Sequence, residues 1–414
     1  MKNRILVLFI IILLQSCENA SKKNVAIAGN SIPKYETYNY SGFTKEEIYG
    51  FHKRIFEGGD WTEYGDLERY YYLNFSQIKE HSRILRADTP KILEEMPRDD
   101  VKNFIISSDL KKGGGLSLTD YVQQVEVNGL IIIHKGKIVF EGYPRMFPTD
   151  LHVNFLITQV FVSTSIGILE DRGLIDTSQP IDYYFDALIG SGWEGVPVID
   201  ILSMSSGIER VPLETFEASF DPFKDLAKAK SAKPSGKEYQ FSNADAMVLT
   251  LLVEKLSGLT FSDFVEQEIW NRIGAEYSAL LGSNTNGTSL AYLDGMSTTL
   301  RDLARFGLAF TPSGRNTGDS IISDAHLANI HNVNQNLKKV SRHTGETMYS
   351  SYQWGAVYED GDLYKGAHGG QGLYISPSKD LVIAFFGTAN TNRERNQLNI
   401  ISRQLAKSGL FDMD

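Results

Sequence analysis

The chain has 414 residues, 42% of them hydrophobic, including 22 Phe and 20 Tyr. Such a composition buries a sizeable core in one large domain or two, and excludes a disordered chain, a collagen-like repeat and a polytopic membrane protein. Acidic residues outnumber basic ones 51 to 41, for a net charge of −10, and no clustered Lys and Arg offer a footprint for phosphates, so nucleic acid is excluded as a partner.

At the N-terminus, Lys2 and Arg4 precede an apolar run from Ile5 to Leu14. The run is too short for the roughly 20 residues that cross a membrane, and reads as an export signal. Leu14-Gln15-Ser16-Cys17 resembles a bacterial lipobox, with Gln15 a less usual occupant of its position. The expectation is a signal peptide over 1–17, lipidation of Cys17 and anchoring in the bacterial cell envelope, at the periplasmic or outer-membrane face. Cys17 is the only cysteine, so an intrachain disulfide, a catalytic thiol and a cysteine metal site are excluded.

Residues 18–43 are polar and aperiodic, as expected of a tether. Thr44 with Glu47 reads as a capping box, with Ile48, Phe51 and Ile55 following at helical spacing. The segment 44–125 is expected to be helical and to pack on the core. Runs from Gly129 to Lys135 and from Lys137 to Tyr143 predict a hairpin. His152 to Gly173 reads as one long helix stopped by Gly173, and helices are predicted over Ile199–Met204, Asp245–Ser257, Phe261–Ile273 and Thr299–Phe310. Strands return at Ser351–Tyr358, Leu363–Tyr364, Gly372–Ser376 and Leu381–Gly387, before a last helix from Arg393 to Lys407. The pattern implies a mixed, mainly antiparallel α/β sheet over 126–414, flanked by helices and split by an all-helical lobe at about 156–345. The cleft between lobes is the expected ligand site.

Several ordered motifs carry a resemblance over residues 126 to 410: Phe140-Glu141-Gly142-Tyr143, Gly167 to Gly173, Ile201 to Gly207, Phe241-Ser242-Asn243, Thr298 to Ala304, Tyr352-Gln353-Trp354-Gly355 and His368-Gly369-Gly370-Gln371-Gly372. They resemble the serine β-lactamase, DD-peptidase and esterase superfamily, in its branch similar to 6-aminohexanoate-dimer hydrolases. The resemblance implies a nucleophilic Ser, a Lys one helical turn later to take its proton, and a Tyr-x-Asn phenol. Fixed by His152 and Leu169 to Gly173, the register places Leu156 at the nucleophile, Gln159 at the lysine and Phe241 at the phenol. None of the three side chains can do that chemistry.

Backbone groups survive such exchange. The resemblance implies an oxyanion or carboxylate site made by the N–H groups of Leu156 and Gln371, with His152, Ser242, Asn243, Gly369 and Gly370 around the pocket. His368, whose side-chain type titrates near neutrality, stands in the third motif as the candidate acid or base. Amides holding a carboxylate beside a histidine suit proton abstraction α to that carboxylate, the chemistry of lyases and dehydratases acting on uronic acids.

Structural roles stand beside these functional ones. His368 as a cleft hydrogen-bonder, His152 in the core, Ser242 and Asn243 bridging lobes, Arg301 and Asp302 as helix-start charges, and Tyr70-Tyr71-Tyr72 in packing all remain open. His326 and His331 lack metal-pair spacing, and no metal or cofactor is expected. Three readings follow: a non-acylating dehydratase, lyase or hydrolase on carboxylate-bearing oligosaccharides; an inactive protein binding a glycan, peptide or protein; and a serine amidase or esterase with a relocated nucleophile. For the last, Ser76/Lys79, Ser108/Lys111, Ser376/Lys379, Thr158 and Ser163 are the positions to inspect.

Overall fold

The computed structural model describes residues 65–412 apart from 78, 213–214, 217–218, 293–294, 316–319 and 343, together with 44, 46, 47, 49, 50 and 53. The expected signal peptide, Cys17 and the expected tether lie outside the described residues, as do Ile48, Phe51 and Ile55. Thr44 and Glu47 do close a capping box: Glu47 N–H donates to Thr44 Oγ1 at 3.2 Å, and Thr44 N–H donates to Glu47 Oε2 at 2.8 Å.

The strands, in chain order, are β1 (His81–Ile84), β2 (Glu94–Glu95), β3 (Val127–His134), β4 (Lys137–Gly142), β5 (His152–Val153), β6 (Ala279–Gly282), β7 (Met296–Thr298), β8 (Lys339–Val340), β9 (Thr347–Ser351), β10 (Trp354–Tyr358), β11 (Leu363–Gly366), β12 (Gly372–Ser376) and β13 (Leu381–Gly387). The helices that position the site are α1 (Asp66–Leu73), α2 (Leu118–Gln124), α3 (Thr158–Asp171), α4 (Asn243–Ser257), α5 (Leu300–Leu308) and α6 (Leu398–Lys407).

Among the described residues the main sheet runs β2-β4-β3-β13-β12-β11-β10-β9-β8. Its pairs are antiparallel except for β2 with β4. β3 and β13 are buried along their whole length, which explains why Leu130-Ile131-Ile132-Ile133 and Leu381 to Phe386 do not alternate: both faces are covered. One face packs against α2 and α6 through Leu118, Tyr121, Leu398, Ile401 and Leu405, and α5 lies against β3, β12 and β13. The β3–β4 turn passes through Lys135 and Gly136 at φ 50° and 75°, the left-handed geometry that matches the twist of a tight hairpin.

A second sheet, ordered β1-β6-β7-β5, corrects two expectations. The inserted lobe is not all helical, since β6 and β7 lie within it, and the segment 44–125 is not simply helical, since it supplies β1 and β2. β1 pairs with β6 from His81 opposite Gly282 to Ile84 opposite Ala279, a partner too distant in sequence for local periodicity to reveal.

The long helix also starts later than expected. His152 and Val153 pair with Thr298 and Ser297 as β5, and Asn154 N–H donates to Met296 O at 2.7 Å. A 3₁₀ turn at Phe155–Ile157 then leads into α3. Tertiary pairing with β7 overrides the apolar pattern there. The last helix likewise begins at Leu398, because the preceding loop is held by Asn396 Nδ2 donating to Gly370 O at 3.0 Å.

Candidate functional site

Phe155 has φ 49°, a conformation bulky residues rarely adopt. It turns the chain from β5 into the 3₁₀ turn and is held edge-on by Tyr72 at 5.0 Å and His368 at 6.0 Å between ring centroids. Leu156 follows, the one residue from 152 to 160 that is not buried. Its N–H lies in the first turn of a helical segment, where amides have no intrahelical acceptor. The turn packs against β11.

Behind the turn, Gln159 is fully buried, and its Oε1 accepts from Lys365 Nζ at 2.7 Å. Lys365, on β11, also donates to Gln353 O at 2.7 Å. Burial, together with the nearby charge of Lys339, pushes the Lys365 amine down to about 7, so a large fraction is uncharged at neutrality. Lys339 lies over the Tyr239 ring at 3.5 Å and donates to Ser350 Oγ; burial pushes its own amine down to about 8. Sequence reading missed Lys365, although a lysine in the middle of an apolar strand was a visible signal.

His368 sits in a short turn after β11, partly exposed, with Nε2 3.3 Å from Glu68 Oε1. Glu68 comes from α1 and is completely buried, and Tyr72 donates its hydroxyl to the same oxygen at 2.5 Å. Burial first, and then the Glu68 charge, hold the Tyr72 phenol well above its ordinary value, so it remains a donor. Gly369, at φ 75°, leaves room for this approach: a Cβ there would meet the Tyr72 hydroxyl at 2.8 Å. Gly370, at φ 97°, likewise leaves room for Asn396. Ala367 N–H closes the loop on Gln371 O at 3.0 Å, and Gln371 leads into β12. Thus a histidine, a carboxylate and a phenol meet where the sequence offered only the histidine. Glu68 and Tyr72 are about 300 residues from His368 in the chain, and no motif joins them.

His152, expected at the pocket, belongs to the core instead. It is fully buried and lies flat on Phe386 at 4.3 Å; its Nδ1 donates to Val153 O, and its Nε2 accepts from Asn128 Nδ2. Burial pushes its imidazole down to about 3, so it is neutral and does not exchange protons near pH 7. Ser242 also differs from expectation. Rather than bridging lobes, its Oγ caps α4 by accepting from Asp245 N–H at 3.2 Å. Asn243 opens that helix, and Phe241 before it is exposed. Helix α4 packs along α3, placing this motif beside the helix that follows Leu156.

The alternative hydroxyls on α3 are engaged elsewhere. Thr158 Oγ1 accepts from Met296 N–H at 2.8 Å, and Ser163 donates to Val160 O at 3.1 Å. Ser376 is buried at the end of β12, and Lys379 pairs with Asp412. Arg301 pairs with Glu141 and Glu95, while Asp302 accepts from the amides of Glu276 and Tyr277, both structural roles. His331 joins the carbonyls of Leu327 and Gly361, and buried His326 packs edge-on against Tyr352.

Cavities of about 530 and 430 Å³ are lined by residues other than those of the Leu156 turn. The larger is lined by Phe185, Asp221 and Lys255. The smaller is lined by Lys111, Lys112, Arg393, Glu394, Arg395 and Asn396. The smaller adjoins the third motif through the Asn396 contact with Gly370 O, and the charge of Arg395 is felt at the Tyr72 phenol.

Residues 118–407 match the family described as Beta-lactamase. The 6-aminohexanoate-dimer hydrolase of Paenarthrobacter ureafaciens is 24% identical over 295 residues, covering 64% of this chain and 74% of that protein. A Bacillus anthracis structure, named as a candidate 6-aminohexanoate-dimer hydrolase, superposes with a TM-score of 0.73 at 19% identity, covering 84% of this chain and 95% of that one. A candidate β-lactamase from Bacteroides dorei superposes with a TM-score of 0.59 at 14% identity, covering 70% and 96%. With its mixed sheet, flanking helices and ordered motifs, the chain belongs to the beta-lactamase family, homologous to 6-aminohexanoate-dimer hydrolase and sharing the fold of serine β-lactamases, penicillin-binding proteins and esterases.

Proposed function

We propose that this member of a hydrolase family does not form an acyl-enzyme through position 156 and instead performs acid–base chemistry, as a dehydratase, lyase or hydrolase, on carboxylate-bearing oligosaccharides. The observation that carries this reading is the His368–Glu68–Tyr72 cluster beside the Leu156 turn. Glu68, 3.3 Å from Nε2, orients the imidazole, so that His368 takes the proton α to a substrate carboxylate. The amides of Leu156 and Gln371 hold the carboxylate oxygen on which negative charge builds. The cavity adjoining the third motif, lined by Lys111, Arg393 and Arg395 besides the Lys112–Glu394 ion pair, favours an anionic substrate. The leader and Cys17 would tether the domain at the envelope, where such glycans are met; loss of membrane partitioning in Cys17→Ser checks this anchor.

The test is mass spectrometry of uronate-containing oligosaccharides and short cell-wall peptides after incubation with the protein. A product lighter by one water identifies a dehydratase; a split glycan identifies a lyase or hydrolase. Either activity should fall at least about 100-fold in His368→Ala, the lower range for a general base. A second reading, binding without turnover, is favoured by Leu156, whose side chain occupies the nucleophile position implied by the resemblance. Unchanged substrates with a folded protein, together with retained glycan or peptide binding, would favour it.

A further inference from the structure

Lys365 lies outside the motif that drew attention to His368, and the chemistry proposed above makes no use of it. It is 4% exposed, yet among the described residues no carboxylate faces it: its partners are two neutral oxygens, Gln159 Oε1 and Gln353 O, each at 2.7 Å. A neutral amine has two N–H bonds and one lone pair. The two contacts use both N–H bonds and leave the lone pair as a proton acceptor. An ammonium ion in the same place would carry a third, unmatched donor in a buried setting, which is costly.

Position matters as much as protonation. Gln159 lies three residues after Leu156, in the first turn of α3 where it continues the 3₁₀ turn, and residues three apart on successive helical turns are neighbours. β11, which carries Lys365, packs against that same turn. From this placement we infer that Lys365 is a proton acceptor at the foot of the Leu156 turn, delivered from a strand rather than from the helix. A hydroxyl placed at position 156 would give that amine a proton to take. This inference does not rest on the native reaction proposed above.

In Leu156→Ser the step balances as follows. The serine Oγ forms a bond to the carbonyl carbon of p-nitrophenyl acetate as its proton passes to the Lys365 lone pair. The carbonyl π pair moves to oxygen, facing the amides of residues 156 and 371. The oxyanion then collapses, the C–O bond to p-nitrophenolate breaks, and an acetyl ester remains at position 156.

The experiment compares Leu156→Ser, Leu156→Ser/Lys365→Met and Leu156→Ser/Gln159→Lys by intact-mass detection of acetylation and by the p-nitrophenolate burst. Leu156→Ser alone should be acetylated at position 156, at least about 100-fold faster than with Lys365→Met, the lower range for a positioned base. Its rate should rise with pH through a midpoint of about 7, set by burial of Lys365 and by the charge of Lys339 facing it from β8. No acetylation of the single variant, equal rates with and without Lys365, or acetylation only after Gln159→Lys would each overturn the inference. Should Lys365→Met fail to fold, NMR titration of the Lys365 side chain in the unaltered protein decides: a midpoint near 7 supports the inference and one near the ordinary 10.5 overturns it.

Discussion

Glu68 and Gly369 show how single residues make the His368 site. Glu68 is buried and shared between an imidazole and a phenol, and that geometry depends on Tyr72 coming close to the loop at Gly369. Gly369→Ala adds a Cβ at 2.8 Å from the Tyr72 hydroxyl and does so at φ 75°. Strain of this kind costs about 1–3 kcal/mol. The expected outcome is a lower melting temperature together with lost turnover, because Tyr72 must retreat from Glu68. A variant that melts and turns over like the parent would show that this approach is not needed. In the sequence, the glycines and His368 were legible as a motif, whereas Lys365, a charge misplaced in an apolar strand, was missed. Glu68 was not, because a buried glutamate in an amphipathic helix looks like any solvated one until its partner is known.

At the scale of elements, α4 illustrates both what the sequence reveals and what it conceals. Its span was legible, within two residues at the start, from its apolar content, and Gly258 ends it at φ 73°. Its start carries a buried acid that patterning alone cannot evaluate: Asp245 is fully buried and accepts from Ser206 Oγ at 2.6 Å. Burial pushes its carboxyl up from an ordinary 3.8 to about 7. A raised carboxyl means that the folded protein holds this proton more tightly than the unfolded chain. Its contribution is therefore complete below the ordinary value and declines as pH climbs through about 7. Asp245→Asn, neutral throughout, removes that decline. Its melting temperature should match the parent in acid and exceed it by several degrees above neutrality, as read by calorimetry across pH. Parallel curves for the two proteins would show that the Asp245 carboxyl titrates alike in the folded and unfolded chain. By contrast, the β5–β7 pairing that delayed the start of α3 left no local trace, since strand partners are set by tertiary contact.

The whole molecule depends on a segment that the matched family region does not include. That region begins at residue 118, whereas α1 and β1 lie before it. β1 completes the second sheet by covering β6, and α1 supplies Glu68 and Tyr72 to the His368 cluster. The same stretch buries Tyr71, Tyr72, Phe75 and Ile84. At about 1.5–3 kcal/mol for each fully buried large side chain, their loss is comparable to the 5–15 kcal/mol that separates folded from unfolded domains. It would also leave β6 as an unpaired edge, a template for association. A chain beginning at residue 118 should therefore be insoluble or lack a cooperative melt, despite retaining the region that matches the family. If it instead gave a soluble protein melting like the parent, the segment would be an addition to a self-sufficient domain. In that case restoring it in trans as a peptide spanning 65–117 should return turnover without changing the melt. That dissociation would separate its part in the site from its part in the fold.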